Sequence, residues 1–436
     1  MQELPQTLTV SGLKHCRGEV TLPGSKSIAN RALLIAALAD KPVVLKNLLR
    51  SDDTARMLEA LNALGVEVEE VTPTQVVVHG CSGQWTTVPE RLLLGNAGTA
   101  MRPLVAVLAA TLTGKQSVTL DGDPRMRERP LGDLIDSLVE RGAALDCLQN
   151  QGYPPLAVSS GLQAGDFTID GSVSSQYVSA LLMALPLLAE DSTLTLTGDV
   201  VSRPYIELTI AMLGSFGITI KPTSERQYAI TGGQQYRSPG EYFIEGDASG
   251  ASYWMAAAAI AGGPITIQGV GQHSIQGDIG FADVVQRMGA TVEWGENSVT
   301  VCGSGALQPI DFDGNQIPDA AMTIVPLALF AKGRTSIRNV ANWRVKETDR
   351  LAAMATEARK FGATVEEGAD YLIIDPPAVL KQATVDTYDD HRIAMCFALL
   401  GFSANGVNIN DPGCCKKTYP QFFNELSRLC HIDLLP

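Results

Sequence analysis

Seven cations and two carboxylates carry most of the chemistry available to this sequence. Lys26, Arg31, Arg129, Lys346, Arg350, Arg392 and Lys417 lie in or beside short stretches that lead into helices, and so do Asp319 and Glu347. Lys and Arg in such places bind phosphate or carboxylate, and the planar guanidinium does so with two parallel hydrogen bonds. A helix start adds unpaired backbone N–H groups and the positive end of its dipole. A carboxylate among so many cations suits proton transfer or hydroxyl orientation better than anion binding. Taken singly, Asp319 reads equally well as a helix N-cap and Glu347 as a capping or surface ion-pair residue. His391 reads as a hydrogen-bonding residue at a helix start, with a general-base role second to that.

The stretches themselves recur. Small or polar residues precede an Ala-rich helix at 24–27 (GSKS), 95–102 (GNAGTAMR), 172–176 (SVSSQ), 246–252 (GDASGAS), 318–323 (PDAAMT) and 389–392 (DDHR). A second set brings more charge at 125–130 (RMRERP), 202–205 (SRPY), 342–350 (NWRVKETDR) and 414–420 (CCKKTYP). If these ends converge, the cations line one cleft suited to two substrates bearing phosphate and carboxylate groups. GSKS lacks the GxxxxGK[ST] spacing of a P-loop, and no GxGxxG is followed by an acidic residue at the right distance, so nucleotide binding is not indicated. The eight Cys show no CxxC spacing and the five His are scattered singly, which argues against zinc and for reduced thiols.

Positioning these residues is the task of an internal repeat. Ala- and Leu-rich helical segments open near Arg31, Arg102, Gln176, Ala251, Ala321 and Arg392, at spacings of 71, 74, 75, 70 and 71 residues. Each leads to a short strand (VVLKNL, SVTLDG, LTLTGD, ITIQGV, TSIRNV, VNINDP) and then an amphipathic second helix. In the first five copies that helix ends at Gly65, Gly142, Gly217, Gly289 and Gly362, which suit a left-handed C-cap, and a hairpin follows. The unit reads as βαβαββ. The sixth copy is short, with 47 residues from Asp390 to Pro436, and TLTVSG and GEVTLPG near the N-terminus match the strands it lacks. The expected organisation is an α/β fold of two similar domains of three repeats each. One comprises 25–245, the other is discontinuous (1–24 plus 246–436), and the site lies in the cleft between them.

Composition narrows the function classes. A formal charge of −14 opposes a nucleic-acid-binding role, because phosphate backbones are held by clustered Lys and Arg. Apolar runs such as 32–39 and 177–189 fall short of the roughly 20 residues of a bilayer span. The first residues lack the pattern of a signal or transit peptide, so a cytoplasmic protein without membrane association is expected.

The motifs LPGSKSIANRALL, LLLGNAGTAMRPL, DPRMRERP, DGSVSSQ, IPDAAMT, NWRVKETDRL, DDHRIAM and the final KTYP, in that order, resemble the 5-enolpyruvylshikimate-3-phosphate synthase family of enolpyruvyl transferases over essentially the whole chain. The resemblance implies a six-fold inverse α/β fold and transfer of the enolpyruvyl group of phosphoenolpyruvate to the 5-hydroxyl of shikimate 3-phosphate. That step belongs to the shikimate pathway of chorismate and aromatic amino-acid biosynthesis. It also implies no cofactor, no metal and a monomer. Shikimate 3-phosphate would be held by Ser27, Arg31, Ser174, Ser175, Gln176, Ser202, Tyr205, Asp319, Asn342 and Lys346. Phosphoenolpyruvate would meet Lys26, Asn96, Gly98, Arg129, Gln176 and Lys417, with Arg350 and Arg392 on its carboxylate. Proton transfer would fall to Asp319 for the hydroxyl and Glu347 for C3, with Lys26 able to serve either step and His391 assisting. Gly98 and Pro103 resemble the form sensitive to glyphosate, a phosphoenolpyruvate competitor. Gly413 departs from the Lys that many relatives carry.

Three other readings were weighed. Enolpyruvyl transfer to a UDP-sugar on the same fold is usually accompanied by a Cys where this chain has Pro124. A non-catalytic anion-binding protein would be expected to lose Asp319, Glu347 and Lys26, all of which are present. RNA-end processing on a related fold is opposed by the acidic charge.

Overall fold

The computed structural model describes residues 4–432 and 434 and divides the chain into two compact units, Gly24–Ile244 and Met1–Pro23 with Glu245–Pro436. Each unit is built from three repeats, and each repeat closes its own small mixed sheet.

The second repeat shows the pattern. Strand Arg91–Leu93 runs into helix Gly98–Thr111 and returns as Ser117–Asp121, parallel to the first strand, since parallel neighbours need a crossover. Helix Gly132–Val139 then leads to the antiparallel strands Leu145–Cys147 and Leu156–Ser159, the latter pairing with Ser117–Asp121. The third repeat (strands Asp166–Asp170, Ser192–Thr197, Ile220–Ser224, Gln227–Ile230) and the fifth (Asp311–Asp313, Thr335–Arg338, Thr364–Glu367, Leu372–Asp375) repeat this order.

The leading strands of the first and fourth repeats come from unexpected places. Val43–Lys46 takes Glu241–Phe243 as its parallel partner, from the far end of the same unit. Ile265–Gln268 takes Gly18–Thr21. The sixth sheet has three strands, Ala383–Val385, Val407–Asn410 and Thr7–Val10. Of the two N-terminal runs expected to complete the sixth repeat, therefore, only TLTV does so, and GEVT leads the fourth. The reason is edge satisfaction: Glu241–Phe243, which precedes the fourth repeat in the chain, already covers Val43–Lys46, so the open edge of Ile265–Gln268 is paired by Gly18–Thr21.

The first helix of each repeat is apolar nearly all round and lies in a core, as in Lys26–Leu38 and Ala248–Ala261, whereas second helices such as Asp52–Ala63 bury one face. Two turns recur. The residue after the central strand is left-handed at Asn47, Gly198, Gly269, Asn339 and Asp411, a conformation that Gly, Asn and Asp adopt most readily. The Gly after each second helix is left-handed as well, with φ between +77° at Gly217 and +106° at Gly289. Among the described residues no helix is long and apolar enough to cross a membrane.

Two glycines three residues apart should respond oppositely to alanine. Gly214 lies within helix Arg203–Ser215 with open space around its Cβ position, so Gly214→Ala should stabilise by about 0.5–1 kcal/mol. Gly217 is held at φ +77° with Arg237 close by, so Gly217→Ala should destabilise by about 1–2 kcal/mol. Urea midpoints of the two variants, moving apart at an unchanged slope, are the check.

Candidate active site

In the unit Gly24–Ile244, four side-chain links draw helix starts together. Asn30 Nδ2 donates to Thr99 Oγ1 at 2.6 Å, joining helix Lys26–Leu38 to the first turn of Gly98–Thr111. Arg102 Nη1 donates to Gln176 Oε1 at 3.2 Å, joining that helix to Ser175–Ala184. Arg31 donates through Nε to Thr209 Oγ1 at 2.9 Å and through Nη2 to Ser179 Oγ at 3.3 Å, reaching helices Arg203–Ser215 and Ser175–Ala184. Arg129, buried in the loop after the second central strand, donates from Nη1 to Asn96 Oδ1 at 3.0 Å.

This places Lys26, Ser27, Arg31, Asn96, Gly98, Arg129 and Gln176 around neighbouring helix starts. Ser25 caps its helix without a side-chain bond, which leaves the first N–H groups there to serve a ligand, whereas after Ala97 the Gly98 N–H already donates to Asn96 O at 3.2 Å. Ser174 caps the helix opened by Ser175, its Oγ accepting from Gln176 N–H. Ser202, at φ +55°, precedes the helix carrying Tyr205. Gly98 stands where a Cβ would collide with the Arg102 guanidinium and come within 2.9 Å of Arg129 Nη2, so a side chain there would have to displace one or both guanidinium groups. Lys26 Nζ lies 3.4 Å from buried Asp53. Arg31 is held by neutral oxygens only, and burial pulls its pKa down to about 10, with Tyr205 acting the other way. It therefore stays charged at neutral pH, and among the described residues no carboxylate pairs with it.

The unit containing Glu245–Pro436 centres on Arg350, the first residue of helix Arg350–Lys360 and fully buried. Its Nε donates to Asp390 Oδ2 at 2.7 Å, Nη1 to Asp319 Oδ1 at 3.0 Å, and Nη2 to Glu347 Oε2 at 2.9 Å. Arg392 Nη2 donates to Asp319 Oδ2 at 3.0 Å and Nη1 to Tyr253 Oη at 3.2 Å. Lys346 Nζ lies 3.5 Å from Asp319, and Lys417 Nζ 3.8 Å from Glu347. Trp343 Nε1 donates to Pro318 O at 2.7 Å and so fixes the turn Ala341–Val345, which carries Asn342, against the approach to Asp319. His391 is fully enclosed, with Nδ1 3.6 Å from Asp390 Oδ1.

Asp319 heads its helical turn without a side-chain cap bond, which overturns the N-cap alternative. Its two oxygens are engaged by two guanidinium groups instead, while 17% of the side chain stays open. Burial pushes its pKa up, but Arg392, Lys346 and Arg350 outweigh that, against some repulsion from Glu347, and hold the carboxyl well below the usual range. Glu347 is buried and paired, which removes the surface alternative. Burial disfavours the Arg350 cation, yet Asp390, Glu347 and Asp319 more than compensate and keep it charged.

Sequence reading missed Asp390, Arg102, Tyr253 and Asp53. Asp390 opens the DDHR stretch and both caps its helix and anchors Arg350. Arg102 stands at the repeat position of Arg31 and Arg392, so aligning the six copies on their cations would have found it.

Six βαβαββ repeats in two units, each with cations and polar groups gathered at helix starts, define an α/β protein of the enolpyruvyl transferase fold. The family model for EPSP synthase (3-phosphoshikimate 1-carboxyvinyltransferase) matches residues 10–426. The chain is 64% identical over 419 residues to a 3-phosphoshikimate 1-carboxyvinyltransferase of Idiomarina loihiensis, covering 96% of this chain and 97% of that one. It is 53% identical to the protein of that name from Vibrio vulnificus, covering 98% and 100%. Among solved structures, an EPSP synthase from Acinetobacter baumannii aligns with a TM-score of 0.80 at 25% identity, covering 97% of this chain and 98% of the other. The enolpyruvyl transferase NikO from Streptomyces tendae aligns with a TM-score of 0.76 at 19% identity, covering 97% of each, and shares the fold. The chain belongs to the EPSP synthase family.

The Asp319 carboxylate makes the folded state acid-sensitive in a defined direction. Its folded pKa lies below the ordinary 3.8, so its contribution is complete above that value and is lost as pH falls through and below it. Melting temperature followed from pH 7 to pH 2.5 should fall more steeply below about pH 4 for the unaltered chain than for Asp319→Asn, which cannot titrate there.

Proposed function

We infer that this chain transfers the enolpyruvyl group of phosphoenolpyruvate to the 5-hydroxyl of shikimate 3-phosphate and releases phosphate, a step of the shikimate pathway. Family membership supplies the reaction. The observation that carries it to these residues is the pairing of two carboxylates, Asp319 and Glu347, through one buried guanidinium, with Lys346, Arg392 and Lys417 within 4 Å of one or the other.

In the proposed mechanism the residues of both units act on the same two substrates. Arg31, Ser27, Ser174, Ser175, Gln176, Ser202 and Tyr205 hold shikimate 3-phosphate from one unit, and Asp319, Asn342 and Lys346 from the other. Arg31 has the strongest claim on the phosphate, because no protein carboxylate neutralises it. Lys26, Asn96, Gly98, Arg129, Gln176 and Lys417 take the phosphate side of phosphoenolpyruvate, and Arg350 and Arg392 its carboxylate. Four of the five Arg350 N–H donors already serve protein carboxylates, so its electrostatic contribution exceeds its capacity for new bonds.

The 5-hydroxyl oxygen attacks C2 of phosphoenolpyruvate as C3 gains a proton, giving a tetrahedral intermediate. Loss of a proton from C3 then expels phosphate and restores the double bond. Asp319, kept ionised by its cations, orients the hydroxyl and receives its proton. Glu347, entering the step protonated, gives its proton to C3 and takes one back in the elimination, the hydroxyl proton held by Asp319 leaves with the phosphate, and Lys26 can serve the same transfers from the phosphate side. The fixed cations face the charge that moves between carboxylate, phosphate and intermediate, and need no reorganisation as it moves.

Phosphate release on mixing the protein with phosphoenolpyruvate and shikimate 3-phosphate tests the assignment; release only with a UDP-sugar acceptor would replace it. Glu347→Gln keeps the shape of the site and should lower kcat by about 100-fold or more, with a modest change in KM. An unaltered rate would remove Glu347 from proton transfer.

A further inference from the structure

The segment that delivers Asp390, His391 and Arg392 contains two consecutive non-glycine residues in the left-handed region, Tyr388 and Asp389, both at φ +54°. Such backbone persists only where the surroundings fix it. Here they do so mainly from one element, helix Arg350–Lys360, with one further bond from Asn410 Nδ2 to Asp386 Oδ1 at 2.9 Å. At its first residue Arg350 grips Asp390. Two turns later, about 10 Å along the same face, Glu357 is completely buried. Its Oε1 accepts from Tyr388 Oη at 2.7 Å and its Oε2 from Asp386 N–H at 3.2 Å. Lys360 completes the attachment, with Nζ 2.8 Å from Glu357 Oε2, 2.8 Å from Asp386 Oδ2, and donating to Thr384 O at 3.1 Å.

We propose that Glu357 is a positioning residue for Arg392, acting through the Tyr388 hydroxyl and the Asp386 amide to hold the left-handed turn that aims the Arg392 guanidinium. It rests on the reading of Arg392 as a ligand of the phosphoenolpyruvate carboxylate. A core acid kept for stability alone would need a partner, but not one on the strained turn leading to an active-site cation. The helix fixes the segment at two points, so the positions of Arg350 and Arg392 are set by one rigid rod. Loosening the Glu357 end leaves the Arg350–Asp390 grip intact and frees the turn before Arg392.

Tyr388→Phe removes one hydroxyl from a partly exposed ring and should preserve the fold; Glu357→Gln is the companion variant, and melting temperatures verify both. With each substrate varied in turn, KM for phosphoenolpyruvate should rise roughly three- to thirtyfold, part of the loss expected for one hydrogen bond to a charged acceptor because Glu357 acts through the turn. KM for shikimate 3-phosphate and kcat should stay within about twofold. Hydrogen exchange of the amides of residues 386–392 should accelerate in both variants, while that of residues 354–360 does not. Unchanged exchange in 386–392, or all three kinetic constants shifting together, would overturn the proposal. Absence of phosphate release by the unaltered chain would overturn the assigned reaction, whereas accelerated exchange in the same segment would still uphold the clamp.

Discussion

The polar cluster of the unit containing Glu245–Pro436 depends on the Arg350 guanidinium. It is removed from water and faces carboxylates from three separate chain segments, Asp319, Glu347 and Asp390. A charge so enclosed is tolerable only with its partners in place, and a partner lost would leave several kcal/mol of uncompensated burial. The network therefore fixes the geometry of the fifth and sixth repeats to one another. Its position is unfavourable for helix stability, because Arg350 opens a helix, where the dipole repels cations. Lys26 opens another and Arg392 is second in a third. Three cations at helix starts oppose local stability and all raise the local positive potential, a departure from helix preference that the proposed anion binding would account for.

The two units solve the problem of storing cations differently. Near Asp319, four cations stand against three carboxylates, so the site is almost neutral and the carboxylates act as resident counter-ions. Near Gly98, Lys26 has Asp53 as a partner. Arg31 is held by hydroxyls and a carbonyl, Arg102 donates to the Gln176 side-chain oxygen, and Arg129 donates to the backbone and side-chain oxygens of Asn96. In the Gly24–Ile244 unit the cations are thus met mainly by neutral oxygens, and in the other unit mainly by carboxylates. Close approach adds to this: the absent side chain of Gly98 leaves room for the guanidinium groups of Arg102 and Arg129 beside its backbone.

The periodicity made the six helices, their strands and the five glycine C-caps legible, because each follows from local chemistry: apolar spacing, β-branched runs, and the left-handed turn that Gly allows. The cations were legible for the same reason, as departures from an acidic background. Strand partnership was not. Gly18–Thr21 and Glu241–Phe243 look alike in sequence, and which sheet each joins is decided by which edge is left open in three dimensions. The state of Asp319 was equally hidden, since N-cap and ion-pair readings need the same residue at the same place, and only the distant Arg392 separates them. Asp390 escaped notice because its Arg350 partner lies 40 residues away in sequence.

The repeat also provides an internal control for backbone strain. Left-handed residues at Asn47, Gly198, Gly269, Asn339 and Asp411 occupy one equivalent turn, so the fold demands them and they say nothing about the site. His431 ends a helix, and Ser82 lies in a loop beside Gly83, where local turns explain them. Gly95, placed two residues before a helix N-cap as Tyr388 is, is left-handed too, but there glycine adopts the conformation freely; Ser202, Tyr388 and Asp389 remain as non-glycine residues outside the recurring turns. All three lie within four residues of a group assigned to substrate, Tyr205 or Arg392. Strain that the architecture does not require, confined to segments that carry ligand-facing groups, is what a site held in readiness should show, since each such residue costs about 1–3 kcal/mol that the surrounding contacts must offset.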